Sequence, residues 1–335
     1  MNMLKYITER NPQKGLIIGT NLGAARLGLP LSWINSDVSA QYDAAMAFSE
    51  RFKSDFIMTS MDLSVEAECF GCDVHFSTSN SPVVSEEILL QDVSAIDNLL
   101  VPRVGEKRTC VFLDAVRKIS SSQSSIPLLG GVIGPFSLAA SLFGVSQMLE
   151  LTISDGEAAR RLVEKCSQFI VEYADAFKEA GTDGVILSEP TAGLLSPRSM
   201  EKYSSIYVQG IVNQLNSPDF QIIYHNCAAR AVHLDAILKT DARILHFGEP
   251  MDISEALRAS GEKKIISGNL DPAKVFLSGR KEYIIERIQQ LLDENKDNPN
   301  FLIASGCDLP INTPFGAVDL FYSLLRQSTP EKDSF

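Results

Sequence analysis

The chain has 335 residues with 30 basic and 42 acidic side chains, a net charge of −12, and 45% of its residues are hydrophobic. That apolar content is typical of a globular protein and is higher than in disordered chains. The acidic balance argues against nucleic acid or an anionic membrane surface as a partner, and the length suits one large α/β domain or two smaller ones.

No targeting or membrane segment is visible in the sequence. Residues 1–11 contain neither the apolar core nor the cleavage site of a secretory signal, and no stretch approaches the roughly 18 to 20 apolar residues of a membrane helix. The six cysteines are sparse and irregularly spaced, which favours reduced thiols over a disulfide framework. We therefore expect a cytoplasmic enzyme.

Short apolar runs alternate with helical patterns along the chain. These runs seldom alternate apolar with polar residues, which is typical of strands buried on both faces of a parallel sheet. The expected strands lie at 56–59, 128–133, 185–187, 222–224, 244–247, 265–266 and 302–304. The clearest helices are predicted at 37–52, 155–180 and 280–292. In the second helix, apolar residues recur every three or four positions between the N-cap Asp155 and the terminating Gly181.

This alternation leaves two architectures, a (β/α)8 barrel and an open doubly wound sheet. An open sheet that binds a dinucleotide should carry GxGxxG after its first strand, but Gly15, Gly19 and Gly23 have the wrong spacing. We predict an α/β protein with a TIM (β/α)8 barrel that occupies residues 1–335 as one domain. A small β excursion is expected near 66–84, and loose polar stretches are expected at 120–125 and 327–335.

Reactive side chains follow the expected strands, where a barrel has its active site. His225 and Cys227 come after the run 222–224 and are two residues apart, so in an extended conformation they face the same side. Cys307 follows another strand. We therefore expect it at the same end of the barrel, which is the open mouth of the fold, close to His225 and Cys227. One imidazole and two thiolates form a zinc ligand set with one position left for a substrate.

Other interpretations of these residues stay open. A buried cysteine is most often a small hydrophobic residue, and a lone histidine is most often a hydrogen-bonded core or surface group. A cysteine nucleophile beside a histidine base is a further alternative, although two thiols beside one histidine favour a metal. Glu189 follows the run 185–187 and is the best catalytic carboxylate, as a fourth metal ligand or a proton acceptor, or else it caps a loop.

The remaining histidines and the C-x-x-C pair are weaker candidates. Cys69 and Cys72 have no second pair in the sequence, so ordinary packing is favoured over a redox or zinc role. His75 and His233 lie in amphipathic segments and are interpreted as structural. His246 lies near a strand end and is a minor candidate for the pocket.

Several motifs identify a family and cover most of the chain. They lie at 66–72 (EAECFGC), 134–139 (GPFSLA), 179–183 (EAGTD), 225–227 (HNC), 267–272 (SGNLDP) and 306–310 (GCDLP). With these motifs the chain resembles the uroporphyrinogen decarboxylase superfamily, most of all its zinc-dependent methylcobamide:coenzyme M methyltransferases. The resemblance implies a TIM barrel whose His-x-Cys and distant Cys, here His225, Cys227 and Cys307, bind zinc. It also implies methyl transfer between a methylcorrinoid, free or on a partner protein, and a small thiol such as coenzyme M.

Two departures from the superfamily bear on function. The decarboxylases carry an arginine-rich segment of the form RQAGRY for the carboxylates of their substrate, whereas residues 15–26 read GLIIGTNLGAAR here. Uroporphyrinogen decarboxylation, a step of porphyrin synthesis, is therefore the alternative function, and a non-catalytic corrinoid-binding module is a third. Ala228 replaces the glycine that usually follows His-x-Cys, a change expected to alter only the local turn.

Overall fold

Eight parallel strands form an α/β barrel of the TIM type in this computed structural model, which describes residues 1–9, 13–122 and 125–327. These eight strands are β1 (Gly15–Leu16), β2 (Ile57–Met58), β5 (Leu128–Ile133), β6 (Gly184–Ser188), β7 (Gln221–Asn226), β8 (Ile244–Phe247), β9 (Ile265–Leu270) and β10 (Phe301–Ser305). Two further strands, β3 (Val74–His75) and β4 (Val83–Val84), form a separate antiparallel pair. The α-helices are α1 (Met3–Thr8), α2 (Thr20–Leu27), α3 (Leu31–Ile34), α4 (Val38–Phe52), α5 (Val65–Phe70), α6 (Val93–Asn98), α7 (Thr109–Ser122), α8 (Pro135–Phe143), α9 (Val145–Ser154), α10 (Gly156–Ala180), α11 (Pro197–Met200), α12 (Ile206–Leu215), α13 (Leu234–Leu238), α14 (Ile253–Ser260), α15 (Lys281–Glu294) and α16 (Phe315–Gln327).

The barrel strands follow one another in chain order around the sheet. From β2 the order runs through β5, β6, β7, β8, β9 and β10 to β1, and every pair is parallel. Side chains join the two remaining edges, since Thr20 Oγ1 lies 3.2 and 3.0 Å from the carbonyl oxygens of Met58 and Thr59. At the other end of these strands, the backbone N–H of Gly15 donates to Asp55 Oδ2 at 2.9 Å. The predicted TIM barrel is confirmed.

One end of the barrel is filled by apolar residues and covered by α1. The interior cluster combines strand residues such as Leu129 and Leu302 with Met3 and Ile7 of α1. The amino group of Met1 pairs with the Asp183 carboxylate, just before β6, at 2.6 Å. Since α1 covers the amino ends of the strands, their carboxyl ends form the open mouth, where TIM barrels carry their active sites.

The predicted elements are largely confirmed. All seven expected strands are present, and the three expected helices are α4, α10 and α15. Helix α10 begins as predicted, with the Asp155 side chain accepting from the Ala158 N–H, and it ends at Gly181 with φ of +108°. Strand β1 was missed because it is only two residues long and begins a glycine-containing run without a strand pattern.

Two local predictions need correction. The β excursion near 66–84 begins as a helix, α5, which buries Val65 and Ala67 and ends at Gly71 with φ of +111°; only β3 and β4 are extended. The polar stretch at 120–125 is not loose at its start, because α7 continues to Ser122. Residue 327 ends α16, whereas 328–335 lie outside the described residues. That residues 1–335 form a single domain stays a prediction.

Among the described residues, no single helix has the length and apolar composition needed to cross a membrane. Helices α8 and α9 meet that criterion only when they are taken together, and they are bent by 106° relative to each other.

Candidate metal centre and active site

Four neighbouring strands show the same two-residue step from an apolar to a polar side chain. The lower layer inside the barrel consists of Ile186, Ile223, Ile244 and Ile265. Because residues i and i+2 of a strand face the same side, the residues two positions later form a second layer nearer the mouth. That buried polar layer consists of Ser188, His225, His246 and Ser267.

A histidine and two cysteines meet at the mouth. His225 belongs to β7, Cys227 follows the last residue of that strand, and Cys307 lies two residues beyond β10. Their ligand atoms lie within 4.8 Å of one another. His225 is 3% exposed, and both cysteines are partly exposed. The structure thus brings together the three residues that the sequence predicts as zinc ligands.

Two glycines allow the loops that carry the cysteines to approach each other. A Cβ atom on Gly248, just after β8, would lie 2.2 Å from the carbonyl oxygen of Cys227. A Cβ atom on Gly306 would lie 3.2 Å from the Cα atom of Gly248. Glycine leaves room for such close backbone contacts. The contact through Gly248 therefore places Cys227 near Cys307, the neighbour of Gly306.

A hydrogen bond links the two thiols and separates their pKa values. Donation from Cys307 stabilises the Cys227 thiolate and lowers the pKa of Cys227 to about 7. The same bond, together with burial, raises the pKa of Cys307, because a second thiolate beside the first is unfavourable. A cation bound by both sulfurs would stabilise both thiolates, which is the usual effect of a soft metal on coordinating thiols.

His246 contacts His225 from the neighbouring strand. The two Nδ1 atoms are 2.7 Å apart, and Nδ1 of His225 is also 3.3 Å from the carbonyl oxygen of His246. Burial and the His225 ring lower the pKa of His246, so His246 is neutral. One Nδ1 therefore carries the proton that the other accepts. This pair occupies Nδ1 of His225 and leaves Nε2 as the nitrogen available to a metal.

The cluster lines a cavity of about 120 Å³. Besides the cluster, the lining residues are Ile18, Met61, Leu63, Ser188, Pro190 and Asp308. Asp308 Oδ2 accepts from the Asn21 amide at 2.9 Å, whereas its Oδ1 has no hydrogen-bond partner within the described part of the chain. Burial raises the pKa of Asp308. The cavity is thus small and mostly apolar, with soft donor atoms on one side and a carboxyl group beside them.

The URO-D family model, described as uroporphyrinogen decarboxylase, matches residues 24–328. This chain belongs to the uroporphyrinogen decarboxylase family. Methylcobamide:CoM methyltransferase MtbA of Methanosarcina acetivorans is 29% identical to it over 262 residues, which cover 77% of this chain and 75% of MtbA. Uroporphyrinogen decarboxylase of Legionella pneumophila (strain Paris) is 27% identical over 232 residues, 67% of this chain and 65% of the relative.

Solved structures show the same fold. A methyltransferase from Methanosarcina mazei superposes with a TM-score of 0.85 at 20% sequence identity, and the alignment covers 97% of both chains. A B12-independent methionine synthase from Shewanella sp. W3-18-1 has a TM-score of 0.56 at 10% identity, over 87% of this chain and 89% of that one. The barrel of this URO-D family member therefore has the architecture of these enzymes.

Glu189 lies at the mouth but turns away from the metal-ligand cluster. Its carboxylate accepts hydrogen bonds at 2.7–3.1 Å from the N–H groups of Phe136 and Ser137 and the hydroxyls of Ser137 and Ser204. Phe136 and Ser137 lie in the first turn of α8, so the carboxylate caps that helix from a neighbouring strand. Gly134 makes this possible, since a Cβ atom there would lie 2.2 Å from Cγ of Glu189.

The contacts of Glu189 favour a positioning role, and its catalytic role stays a prediction. We expect Glu189→Ala to lower the free energy of unfolding by about 2–4 kcal/mol, since it leaves buried donors of α8 unpaired. Glu189→Gln retains one acceptor oxygen and should cost about half as much. Urea denaturation measures both effects. A Glu189→Gln protein with unchanged stability but a rate reduced a hundredfold would instead support catalysis.

The minor candidates lie in structural surroundings. Burial raises the pKa of Cys69 and of Cys72 to about 11, and the Cys69 thiol lies 3.6 Å from the Arg103 carbonyl oxygen. His75 is exposed on β3, whereas the ring of His233 contacts the Leu195 carbonyl oxygen at 3.1 Å and accepts from the Arg230 N–H. The burial of Cys69, Cys72 and His233 agrees with the structural roles expected for them, whereas the structural role of the exposed His75 stays a prediction.

The sequence carries a signal that places His246 beside His225. The pattern Ile-x-Ser or Ile-x-His occurs in β6, β7, β8 and β9, at matching positions of the register. In the parallel neighbouring strands β7 and β8, a histidine stands two residues after a buried isoleucine that is paired in the register. The two histidines therefore lie side by side. Asn21 and its bond to Asp308 have no comparable local signal, because the two residues are 287 positions apart.

Proposed function

We propose that this protein is a zinc-dependent methyltransferase that moves a methyl group between a methylcorrinoid and a small thiol such as coenzyme M. The observation that carries the proposal is the convergence of His225, Cys227 and Cys307 on one cavity at the mouth of the barrel. The similarity to methyltransferases named for methylcobamide and CoM supports the same reaction class.

The donor set of the cluster fits zinc. Two sulfur atoms and one imidazole nitrogen lie within 4.8 Å of one another, and their chemistry suits a tetrahedral zinc ion with one open position. Such an ion supplies a place where a substrate thiol is held as its thiolate near neutral pH. The three side chains come from rigid strand ends, which suits a catalytic site that keeps its geometry without metal.

The protein's own residues would bind the two substrates from different sides. The thiol enters the cavity beside Ile18, Met61 and Leu63, which keep water from its sulfur. The corrinoid, free or on a partner protein, lies across the mouth. Large apolar side chains are exposed on segments that follow the strands there and suit a broad, partly apolar ligand. They are Trp33, Phe76, Val83, Leu194 and Val232.

The proposed reaction balances without an external oxidant or reductant. The thiol loses its proton, its sulfur forms a bond to the methyl carbon, and the electron pair of the cobalt–carbon bond remains on cobalt. Exclusion of water by the apolar cavity walls favours attack by sulfur over hydrolysis. The reverse reaction would methylate the corrinoid.

Decarboxylation of uroporphyrinogen is less well supported. Among the described residues that line the cavity there is no lysine or arginine, although a substrate with many carboxylates needs fixed cations. Arg26, in the segment where the decarboxylases carry their arginine-rich motif, is exposed near the end of α2. The described lining of this cavity therefore lacks the positive charges that the carboxylates of uroporphyrinogen require.

Methyl transfer from methylcobalamin tests the proposal directly. We expect the zinc-loaded protein to demethylate methylcobalamin in the presence of small thiols, followed by the visible spectrum of the corrinoid and by mass spectrometry of the methylated thiol. Protein stripped by a chelator should be inactive and regain activity with zinc. Uroporphyrinogen should remain unchanged. Decarboxylation of uroporphyrinogen without methyl transfer to any thiol would refute the proposal in favour of the alternative.

A further inference from the structure

The segment between β2 and α5 forms one wall of the cavity. Met61 and Leu63 line the cavity beside the metal ligands and are partly exposed, whereas Asp62 and Ser64 are buried. Residues 61–63 belong to neither a helix nor a strand, so no regular pattern of backbone hydrogen bonds fixes them. The positions of Met61 and Leu63 therefore depend on what the two buried side chains contact.

Arg108, just before α7, holds the buried side of this segment. Its guanidinium group pairs with the carboxylate of Asp62 and donates to the hydroxyl oxygen of Ser64 at 2.9 Å. Its Nε donates to Glu68 of α5 at 2.6 Å, and the Phe76 ring covers its face, with 4.8 Å between the guanidinium carbon and the ring centroid. Because the guanidinium group is a rigid planar fork, these contacts fix the orientation of every group that it binds.

Asp62 connects this cation to the cavity wall. While its Oδ2 atom binds Arg108, its Oδ1 atom accepts from the N–H and the hydroxyl of Ser64 at 2.9 and 2.6 Å. The bond to the N–H two residues later forms an Asx-turn around Leu63. On the other side, Met61 packs against the backbone of β5, where a Cβ atom on residue 131 would lie 2.3 Å from its sulfur. Both oxygens of one buried carboxylate therefore determine how this wall is folded.

We propose that Arg108 is a positioning residue for the thiol: by holding Asp62 it fixes the apolar wall that encloses the thiol beside the metal. This inference rests on the proposed methyl transfer to a thiol. Arg108 is absent from the described lining of the cavity and from the ligand cluster, so it acts through the residues that it binds. A small displacement of the wall changes how closely it encloses the thiol, and such misplacement weakens binding and slows the reaction.

Two carboxylates that bind the same arginine provide a matched pair of variants. Asp62→Asn leaves one acceptor oxygen, which can serve Arg108 or Ser64 but not both, whereas Glu68→Gln changes a partner on α5 that does not adjoin the cavity. With methylcobalamin as donor and coenzyme M as acceptor, we expect Asp62→Asn to raise KM for coenzyme M roughly tenfold and to leave KM for methylcobalamin unchanged. Glu68→Gln should change both values much less.

Calorimetric titration of the zinc-loaded proteins with coenzyme M, without corrinoid, should show the same order of affinity. A wild-type KM and affinity in Asp62→Asn would overturn the inference. An equal loss of affinity in Glu68→Gln would overturn it as well, because it would indicate general loosening of the ion network rather than an effect through Asp62.

Hydrogen exchange of the metal-free protein tests the positioning without any reaction. Arg108→Lys keeps the positive charge but loses the fork, so we expect the amides of residues 59–65 to exchange about tenfold faster while those of β5 do not change. Unchanged exchange in a folded Arg108→Lys protein would count against the inference, and Asp62→Asn decides the matter if that variant does not fold. If the wild-type protein methylates no thiol, the proposed function itself fails; if it does and Asp62→Asn has the wild-type KM for coenzyme M, only the role of Arg108 is wrong.

Discussion

Cys307→Ala should lose its zinc and its methyl-transfer activity together. Zinc held by four ligands in small domains is bound by about 10–16 kcal/mol, so one thiolate accounts for roughly 3 kcal/mol, or more than a hundredfold in affinity. The same substitution removes a negative ligand, which makes a bound sulfur less nucleophilic. We expect elemental analysis to show about one zinc per chain in the wild-type protein and only a trace in the variant after dialysis against a chelator.

Two controls separate metal loss from misfolding. Cys110 is exposed on α7, and Cys110→Ala should retain both zinc and activity. The free energy of unfolding of the metal-free Cys307→Ala protein should differ from that of metal-free wild type by less than about 1 kcal/mol, because Cys307 is not part of the buried core. Stoichiometric zinc in Cys307→Ala would show that the cluster is not the metal site.

His246→Leu should weaken zinc binding about 10–100-fold, although His246 is not in the ligand cluster. The 2.7 Å contact between the Nδ1 atoms holds the His225 ring in one orientation and in the tautomer that presents Nε2. Leucine fills a similar volume but cannot replace this hydrogen bond, so only the 3.3 Å contact with the backbone carbonyl oxygen of residue 246 still holds the ring. Competition with a chromophoric chelator measures the affinity, and His246→Asn, which retains a hydrogen-bonding group, should recover part of it.

The matched control is another buried histidine. His233 contacts the Leu195 carbonyl oxygen and the Arg230 N–H, neither of which belongs to the cluster, and His233→Leu should lower stability without changing zinc affinity. Equal zinc affinity in His246→Leu and wild type would show that the histidine pair contributes to packing alone.

Local sequence patterns are sufficient to predict most of the helices and strands and the three residues of the metal-ligand cluster. The spacing of apolar residues in 155–180, with Asp155 and Gly181 at its ends, is sufficient to predict α10, because capping and amphipathicity act within a few residues. His225 and Cys227 share a side because of the two-residue period of a strand. The family motifs add Cys307, and the position of all three after strands predicts that they meet at one mouth.

Only the tertiary structure decided what each reactive group contacts. Glu189 follows its strand as predicted, yet the N–H groups of α8 receive its carboxylate, because Gly134 leaves room for the side chain to cross. The contact of His246 with His225 depends on the register between β7 and β8, and the bond of Asp308 to Asn21 joins the segments after β10 and β1, which pair although they are far apart in the chain. Sequence periodicity determines the direction of a side chain relative to its own strand, whereas its partner depends on register and closure, which arise from packing among residues distant in the chain.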